Sequence, residues 1–499
     1  MSSKPDVVLI NPASRKRVYQ GLGDELAAIE PPVWAGLLAG YARRHGLRVQ
    51  LLDAEAENLS AAEVADAVAD GGARLSVIVA YGHQPSASTQ VMPAVSAVAH
   101  ALKAARADHP VLLLGGHVAA LPERTLREEP ADFVCTGEGP VTLVALAQAL
   151  AESAPALSKV PGLMYREHGL VRTTAAAPLV RDLDQELPGV SWDLLPMTRY
   201  RAHNWHCFGD RPRQPYAALY TSLGCPFKCT FCCIQAPFKS GEQLAGNKPS
   251  TNTYRMWSSE RVVGWIDTLV RDYGVTNIKL ADEMFVLNKR HVMGICDGLI
   301  ARKHDLNVWA YARVDTVSDE LIPHLRDAGF RWLALGIEAA SEDVRNDVDK
   351  GFERGAVERL IEKLRAAGIH VIANYIFGLP EDDLPSMRAT LDLAKQLNTE
   401  FANLYCAMAY PGSQLYRQAL DAGWRLPDSW AGYSQHAVDT LPLPTRHLEA
   451  REVLRFRDQA FLEYFQNPRY LAMVQQRFGD TTLQHIQTMS SKKIERRYL

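Results

Sequence analysis

The first 150 residues alternate short apolar runs with stretches of helical periodicity. Because the runs contain few polar interruptions, they predict strands covered on both faces, as in a parallel, doubly wound α/β sheet. Helical patterns separate them at 33–45, 60–70, 90–106 and 140–152. The strands predicted for this Rossmann-like unit are VVLIN (7–11), RVQLLD (48–53), LSVIVAY (75–81), PVLLLGG (110–116) and DFVCTG (132–137).

A second alternating series begins at residue 216 and predicts six β/α units, which suggest a partial (β/α)6 barrel. Its strands are YAALYTS (216–222), NIKLAD (277–282), VWAYARV (308–314), WLALGIE (332–338), HVIANYIFG (370–378) and FANLYCAMA (401–409). Between the two series the periodicity fades and proline and turn residues increase. We therefore predict four parts: a Rossmann-like domain (1–150), a linker (151–214), the barrel (215–415) and a helical C-terminal region (416–499).

Composition excludes several classes of function. Of the 499 residues, 54 are Lys or Arg and 57 are Asp or Glu, so the net charge of −3 does not favour nucleic acid. The longest apolar runs fall well short of the ~20 residues that span a bilayer. The first residues lack the charged, apolar and small-residue regions of a signal peptide. We expect a cytoplasmic protein that has no membrane span and that acts on a small molecule.

Four of the eight cysteines lie within nine residues. Cys225, Cys229 and Cys232 form a CxxxCxxC loop just after the first barrel strand, where three thiolates can hold three irons of a [4Fe–4S] cluster and leave the fourth iron open. A zinc site that uses Cys233 or a histidine as fourth ligand is the competing interpretation, although a second CxxC pair is missing. Buried core cysteines are less favoured, because Pro, Lys and Thr interrupt any apolar face.

This loop, with Phe231 before its third cysteine, resembles the hallmark of the radical S-adenosylmethionine (SAM) enzymes. The resemblance implies that the three cysteines bind the cluster and that Phe231 lies beside SAM. The open iron is chelated by the amino and carboxylate groups of SAM in that family. Electron transfer from a donor such as flavodoxin or ferredoxin then cleaves SAM to methionine and a 5′-deoxyadenosyl radical.

The resemblance continues at the later strand ends. Asp282 and Glu283 stand where the family places an acid that binds the SAM amino group, but Ala-Asp-Glu replaces the frequent Gly-Gly-Glu, so either acid could make the contact. Arg313 matches a position that contacts the SAM carboxylate, and a guanidinium suits such a planar acceptor. Glu338 and Ser341 resemble the segment that contacts the ribose.

The N-terminal part lacks a GxGxxG loop, so a nicotinamide cofactor is disfavoured. It resembles the cobalamin-binding domain fused ahead of many radical SAM cores, most specifically in GGHVAALPE (115–123) and ADFVCTGEG (131–139). The DxHxxG motif with which some cobalamin proteins supply a histidine to cobalt is absent, so no histidine is supplied to cobalt by that motif. For three of the contacts that the resemblance implies, other roles remain open: His117 could cap a turn, and Ser86 and Ser88 could cap the following helix. The implied cobalamin contacts are Ser86, Ser88, Gly115, Gly116, His117, Gly137, Glu138 and Gly139.

Together the two resemblances imply a cobalamin-dependent radical C-methyltransferase. Such an enzyme methylates an unactivated carbon, which polar methyl transfer cannot reach, and its protein part mainly positions the cofactors. One alternative is a cyclisation or rearrangement without methyl transfer. Another is a cobalamin-binding sensor whose cluster is structural. The sequence does not identify the substrate.

Overall fold

The computed structural model describes residues 4–23, 26–82, 87–353 and 355–499. The strands of its first sheet are β1 (Val7–Asn11), β2 (Val49–Asp53), β3 (Leu75–Ala80), β4 (Val111–Gly115), β5 (Phe133–Cys135), β6 (Leu163–Glu167) and β7 (Leu170–Thr173). The order is β2-β1-β3-β4-β5-β6-β7, with β1 to β5 parallel and the last two strands antiparallel. The order reverses between β1 and β3, so a ligand crevice is expected at their carboxyl ends.

Helices cover both faces of this sheet. In β1, Val7 and Leu9 pack into one core, whereas Val8 and Ile10 pack into a second core on the opposite face. Burial on both faces explains why the strands read as unbroken apolar runs. The helices are Arg15–Tyr19, Val33–Arg44, Ala54–Glu57, Ala61–Gly71, Ala87–Gln90, Met92–Ala105, Gly116–Ala120, Pro122–Glu128 and Pro140–Ala149.

The segment 151–214, expected to be a linker, extends the first sheet. β6 and β7 form a hairpin whose turn at His168 and Gly169 has positive φ angles of 50° and 79°. All four residues of β7 are exposed at the sheet edge. A short, exposed edge strand carries no apolar run, so the pattern used for the buried strands does not detect it.

The second sheet has six parallel strands in the order β15-β14-β13-β12-β11-β8. Its edge strands β8 and β15 are not neighbours, which is the arrangement of the predicted partial barrel. A short antiparallel pair, β9 and β10, lies beside it. The strands are β8 (Tyr216–Leu219), β9 (Ser222–Leu223), β10 (Arg255–Met256), β11 (Asn277–Leu280), β12 (Asn307–Arg313), β13 (Phe330–Glu338), β14 (His370–Phe377) and β15 (Phe401–Cys406).

Helices alternate with the barrel strands and continue beyond them. The C-terminal region is helical, as predicted, over Gln414–Asp421 and from Ala450 to Ser491, with an irregular stretch between. Its last helix packs at the barrel: Phe478 lies 5.3 Å from Phe208 and 6.0 Å from Trp332, ring centre to ring centre. Because Trp332 is near the start of β13, these aromatics close the amino end of the barrel. The helices are Lys239–Leu244, Ser259–Tyr273, Lys289–Arg302, Leu321–Asp327, Glu342–Asp347, Ala356–Ala366, Leu384–Leu397, Gln414–Asp421, Ala450–Phe465 and Pro468–Ser491.

Among the described residues, no helix combines the length and the apolar character needed to cross a bilayer.

Candidate active site

The three predicted cluster cysteines lie on one loop that follows β9. Cys225 is buried, Cys229 is partly buried and Cys232 is exposed. The loop is tied to the barrel by two backbone hydrogen bonds of Thr230, whose N–H donates to the carbonyl of Val348 (3.3 Å) and whose carbonyl accepts from the N–H of Leu415 (2.8 Å). Burial raises the pKa of the Cys225 thiol to about 11. The loop is therefore held in place by the protein itself.

Arg313, at the carboxyl end of β12, points at the cysteine loop. Its Nη1 lies 3.7 Å from Sγ of Cys229. Asp315 accepts from its Nε and Nη2 at 2.9 Å each, and the guanidinium stacks 4.0 Å over the ring of Phe227. Burial raises the pKa of Cys229, whereas the charges of Lys350 and Arg313 lower it. The two cations thus offset part of the effect of burial, which keeps the pKa of Cys229 above its ordinary value.

The two acids after β11 have different surroundings. Asp282 is buried and accepts from the N–H and the hydroxyl of Thr221, at 2.9 and 2.7 Å, and from the hydroxyl of Ser222. Burial raises its pKa to about 6, against these hydrogen bonds. Glu283 is partly exposed, and burial raises its pKa to about 8. Asp282 therefore fixes the strand that leads to the cysteine loop. Of the two acids, Glu283 is the one whose carboxylate can accept hydrogen bonds from a ligand.

Glu338 ends β13 and forms an ion pair with Lys350, both side chains being less than a tenth exposed. The ammonium of Lys350 also lies 5.9 Å from the ring centre of Phe231. Ser341 caps the helix Glu342–Asp347 by accepting from the N–H of Val344 at 3.4 Å. The structure thus brings the predicted SAM residues on β13 and the cysteine loop together through a lysine that the sequence analysis did not identify.

On the first domain, the serine and histidine predicted to contact cobalamin bind each other. Ser88 is buried; its hydroxyl donates to the carbonyl of Ala80 and accepts from the backbone N–H of His117 at 2.9 Å. The ring of His117 lies within 3.2 Å of the hydroxyl of Thr89, and burial lowers its pKa to about 3. These contacts tie the end of β3 to the start of the helix after β4. Ser86 lies outside the described residues.

The predicted glycines pack against protein. A Cβ on Gly115, whose φ is +144°, would lie 2.1 Å from the carbonyl oxygen of Ala80, so glycine is required for the close approach of β3 and β4. A Cβ on Gly137 would lie 3.2 Å from the hydroxyl of Ser240 in the barrel. Gly139 has a φ of +109°, and a Cβ there would contact leucine side chains at 3.5 Å. Gly116 begins the helix after β4.

Glu138 has a structural partner instead of an open face. Arg255 donates to it at 2.7 Å, with the two side chains 10% and 3% exposed, and the N–H of Val180 donates to its other oxygen at 2.6 Å. The carboxylate therefore joins the first domain to the linker and to the barrel. Sequence reasoning did not find this pairing, because Arg255 is more than a hundred residues away and belongs to no recognisable motif.

A cavity lies between the carboxyl edges of the two sheets. One wall comes from the residues that follow β1, β2 and β3, among them Arg15, Glu55 and Tyr81. The other side includes Tyr220 and Ala281, which follow β8 and β11. Since the cysteine loop follows the same edge of the barrel, both domains present their ligand-binding edges to one space.

The residues present fit the implied cofactors. Three thiols on one loop, one of them beside Arg313, suit an anionic iron–sulfur cluster. In the described parts of the chain, no three His, Cys, Asp or Glu side chains converge closely enough to hold a single metal ion. Thiolates of a four-iron cluster each bind a different iron, so they need not converge in this way. The cavity lies at the strand-order reversal, where sheets of this kind bind their ligands.

Comparison with protein families agrees with this geometry. Residues 19–147 match the model of the B12 binding domain, and residues 219–394 match that of the Radical SAM superfamily. With the cysteine loop and the facing sheet edges, these matches define the class: the chain is a B12-binding radical SAM enzyme, with a [4Fe–4S] cluster, SAM and cobalamin as its cofactors.

Relatives extend over almost the whole chain. An uncharacterized methyltransferase of Pyrococcus horikoshii is 27% identical over 466 residues, 93% of either chain. An anaerobic magnesium-protoporphyrin IX monomethyl ester cyclase of Rubrivivax gelatinosus is 28% identical over 416 residues, 81% of this chain and 69% of that protein. The solved structure of the radical SAM methyltransferase TsrM from Kitasatospora setae, with cobalamin and a [4Fe–4S] cluster bound, has a TM-score of 0.67 at 15% identity and covers 91% of this chain and 90% of that chain. This likeness shows a shared fold.

Proposed function

We propose that the protein is a cobalamin-dependent radical SAM C-methyltransferase that methylates an unactivated carbon of a small molecule. The observation that carries the proposal is the cavity between the two carboxyl edges, together with the cysteine loop that follows the same edge of the barrel. When bound, the three cofactors supply a carbon radical and a transferable methyl group. Facing edges allow the chain to hold a substrate between these two chemistries.

The chain's own residues position the cofactors. Cys225, Cys229 and Cys232 hold the cluster, and Arg313, fixed by Asp315 and Phe227, orients a carboxylate next to it. We assign the SAM amino group to Glu283, since Asp282 already accepts three hydrogen bonds from Thr221 and Ser222. We assign the ribose to Glu338 and Ser341, and the corrin to the glycine-rich edge after β4 and β5.

Transfer of label from SAM tests the proposal. The reconstituted enzyme, reduced and supplied with methyl-labelled SAM and a small-molecule extract of its source, is expected to form 5′-deoxyadenosine and a labelled product. Cys229→Ala removes a cluster ligand, and its 5′-deoxyadenosine formation should fall to background. The matched control is Cys296→Ala, in the buried face of the helix Lys289–Arg302, which should keep the cluster and the activity. Wild-type enzyme with an intact cluster that forms no 5′-deoxyadenosine would contradict the proposal.

The relative from Rubrivivax gelatinosus favours a second candidate, a ring-forming reaction without methyl transfer. The same experiment separates the two. A product whose skeleton is altered but which carries no label supports the cyclase, whereas a labelled product supports the methyltransferase.

We also propose a cytoplasmic location and an electron donor such as flavodoxin or ferredoxin. The eight cysteines are free, as expected for a reducing compartment, and a radical SAM cluster requires a reductant. Reduction of the cluster by purified flavodoxin, followed as 5′-deoxyadenosine formation, tests the donor.

A further inference from the structure

Three nitrogen atoms that donate hydrogen bonds, in the wall of the interdomain cavity, are buried without an acceptor among the described residues. They are Nε and Nη1 of Arg15 and Nε1 of Trp34, and both residues line the cavity. Leaving donors buried and unpaired is unfavourable, most of all for a charged group. Such groups in a native structure call for an explanation, and a ligand that accepts from them is the one that this location suggests.

The nearby acids have other partners. Oε1 of Glu55 lies 3.4 Å from Nε of Arg15, beyond good hydrogen-bond distance, while its Oε2 accepts the backbone N–H groups of Ser14 and Arg15 at 2.6 and 2.8 Å. Glu30 pairs with Lys279 at 2.8 Å. Glu55 thus fixes the start of the helix Arg15–Tyr19 and sets the direction of the guanidinium, but it leaves Nη1 without an acceptor.

The shape of the site limits what can accept from Arg15. A guanidinium presents N–H groups in a planar fork that matches a carboxylate or a phosphate. Apolar residues outnumber polar ones in the walls around it, and the ring of Trp34 stacks on Tyr81 at 5.1 Å. Tyr220 and Ala281 lie across the cavity on the barrel side. A ligand that satisfies all of these features has an anionic group at one end and an apolar body directed toward the barrel.

We propose that Arg15 binds the anionic group, a carboxylate or a phosphate, of an otherwise apolar small-molecule substrate. This inference rests on the proposed function, because it names the substrate class of the same cavity. Anchoring the anion on the first domain places the apolar carbon skeleton toward the barrel edge, where the cysteine loop lies. It thereby accounts for how an inert carbon is selected in a substrate that offers few other polar contacts.

The first test asks which substrates accept label. A small-molecule extract is separated on an anion exchanger at pH 7 into retained and unretained fractions, and each is incubated with reconstituted enzyme and methyl-labelled SAM. We expect label only from the retained fraction, and about tenfold less of it with Arg15→Gln, which loses the charged fork. Lys16→Gln, an exposed neighbour on the same helix, is the matched control and should match wild type. Label from the unretained fraction alone, or equal labelling by Arg15→Gln, overturns the inference.

A second test does not depend on catalysis. Octanoate and octanol, probes with the same apolar chain, are titrated into the cofactor-loaded protein by calorimetry. We expect Arg15→Gln to lower the affinity for octanoate about tenfold and to change the affinity for octanol little. Arg15→Lys should have an intermediate affinity for octanoate, because it keeps the charge without the planar fork. Octanoate binding that is unchanged in both variants overturns the inference. Absence of 5′-deoxyadenosine in the wild type, with octanoate binding sensitive to Arg15, instead indicates failure of the proposed function alone.

The phosphodiester of the cobalamin nucleotide is another source of the same anionic chemistry, and cobalamin retention distinguishes it. If Arg15 serves the substrate, Arg15→Gln should retain as much cobalamin per protein after gel filtration as wild type. Loss of cobalamin from this variant, with octanoate affinity unchanged, would assign the guanidinium to the cofactor and overturn the substrate assignment.

Discussion

Lys350 and Glu338 form a buried ion pair beside the cysteine loop, with side chains 9% and 6% exposed. Glu338 has a positive φ of 64°, at a register shift between β13 and β14. A Cβ on Gly336 would meet the Lys350 ammonium, so a larger residue there would require the lysine side chain to shift. A strained backbone, a glycine and a buried lysine together fix where this carboxylate points.

Replacing Lys350 by methionine is expected to lower the free energy of unfolding by about 3 kcal/mol, because it leaves a carboxylate buried without its counter-ion. Urea unfolding measures this loss. The double variant Lys350→Met/Glu338→Gln should recover most of the stability, since it buries no unpaired charge. SAM affinity should stay low in the double variant if Glu338 contacts the ribose. Wild-type stability of the single variant would contradict the structural role of the pair.

Arg313 is held on two sides, by Asp315 and by the ring of Phe227. Arg313→Lys keeps the charge but loses the fork and the stacking surface, so we expect about tenfold weaker SAM binding with little change in unfolding. Binding is measured by equilibrium dialysis with labelled SAM. Arg326→Lys, on the exposed face of the helix Leu321–Asp327, is the control. Equal SAM affinity in Arg313→Lys and Arg326→Lys would show that the fork is not used.

At the level of elements, Gly115 at the end of β4 has a role in the structure that differs from the role its motif implies. The resemblance assigns Gly115 to cobalamin, whereas the structure shows it in contact with the carbonyl of Ala80 on the neighbouring strand. Ser88 binds the same carbonyl and links it to the helix after β4. The motif is thus explained by packing between two strand ends that also border the ligand edge.

Gly115→Ala is therefore expected to destabilise the cofactor-free protein. The added methyl would meet backbone at 2.1 Å, and alanine disfavours a φ of +144°. Gly169→Ala is the matched control: its φ is also positive, +79°, but nothing lies within 4 Å, so only the backbone preference of about 1 kcal/mol is lost. Thermal unfolding without cobalamin compares them. If Gly115→Ala unfolds at the wild-type temperature without cobalamin, its role is cofactor contact alone.

The sequence predicted the elements that depend on local pattern and missed those that depend on distant partners. All eleven strands proposed from apolar runs are present, because burial on both faces leaves that signature along the chain. The hairpin of β6 and β7 was missed since its second strand is exposed. The partners of Glu138 and Glu338, Arg255 and Lys350, could not be predicted, because only the folded chain brings them together.

At the scale of the whole molecule, hydrogen bonds and an ion pair hold the C-terminal tail against the rest of the chain. Arg496 pairs with Asp458 and donates to backbone carbonyls of Gln435 and Ala437. The side chain of Gln20 donates to the carbonyl of Glu495 at 3.2 Å and accepts its N–H at 3.2 Å. Since Gln20 directly follows the helix Arg15–Tyr19, the tail supports a wall of the cavity from outside.

Deletion of residues 494–499 is expected to loosen that wall. Hydrogen exchange of backbone amides in 14–22 should become faster, because the helix there is short and loses its contacts with the tail. Gln20→Ala, which removes the contact from the other side, should produce part of the same increase. Lys16→Ala, on the exposed face, is the control. Unchanged exchange in the truncated protein would mean that the helix is held by its own domain.

The two domains are also joined through a buried ion pair. Lys279 on β11 and Glu30, which precedes the helix Val33–Arg44, lie 2.8 Å apart with side chains 1% and 5% exposed. The Lys279 ammonium lies 5.0 Å from the ring centre of Trp309 as well. A pair in this position couples the folding of the two domains, because the burial of each charge depends on the partner domain being folded.

Lys279→Met removes the ammonium next to Glu30 and is expected to lower the free energy of unfolding by about 3 kcal/mol. Because the pair joins the two domains, the loss weakens the contact between them. Calorimetry should then resolve two unfolding transitions, whereas we expect one for the wild type. Lys289→Met is the matched control, since its pair with Glu320 is more than half exposed on both sides and contributes at most about 1 kcal/mol. A single transition at the wild-type temperature in Lys279→Met would show that the cavity walls are held together by apolar packing alone.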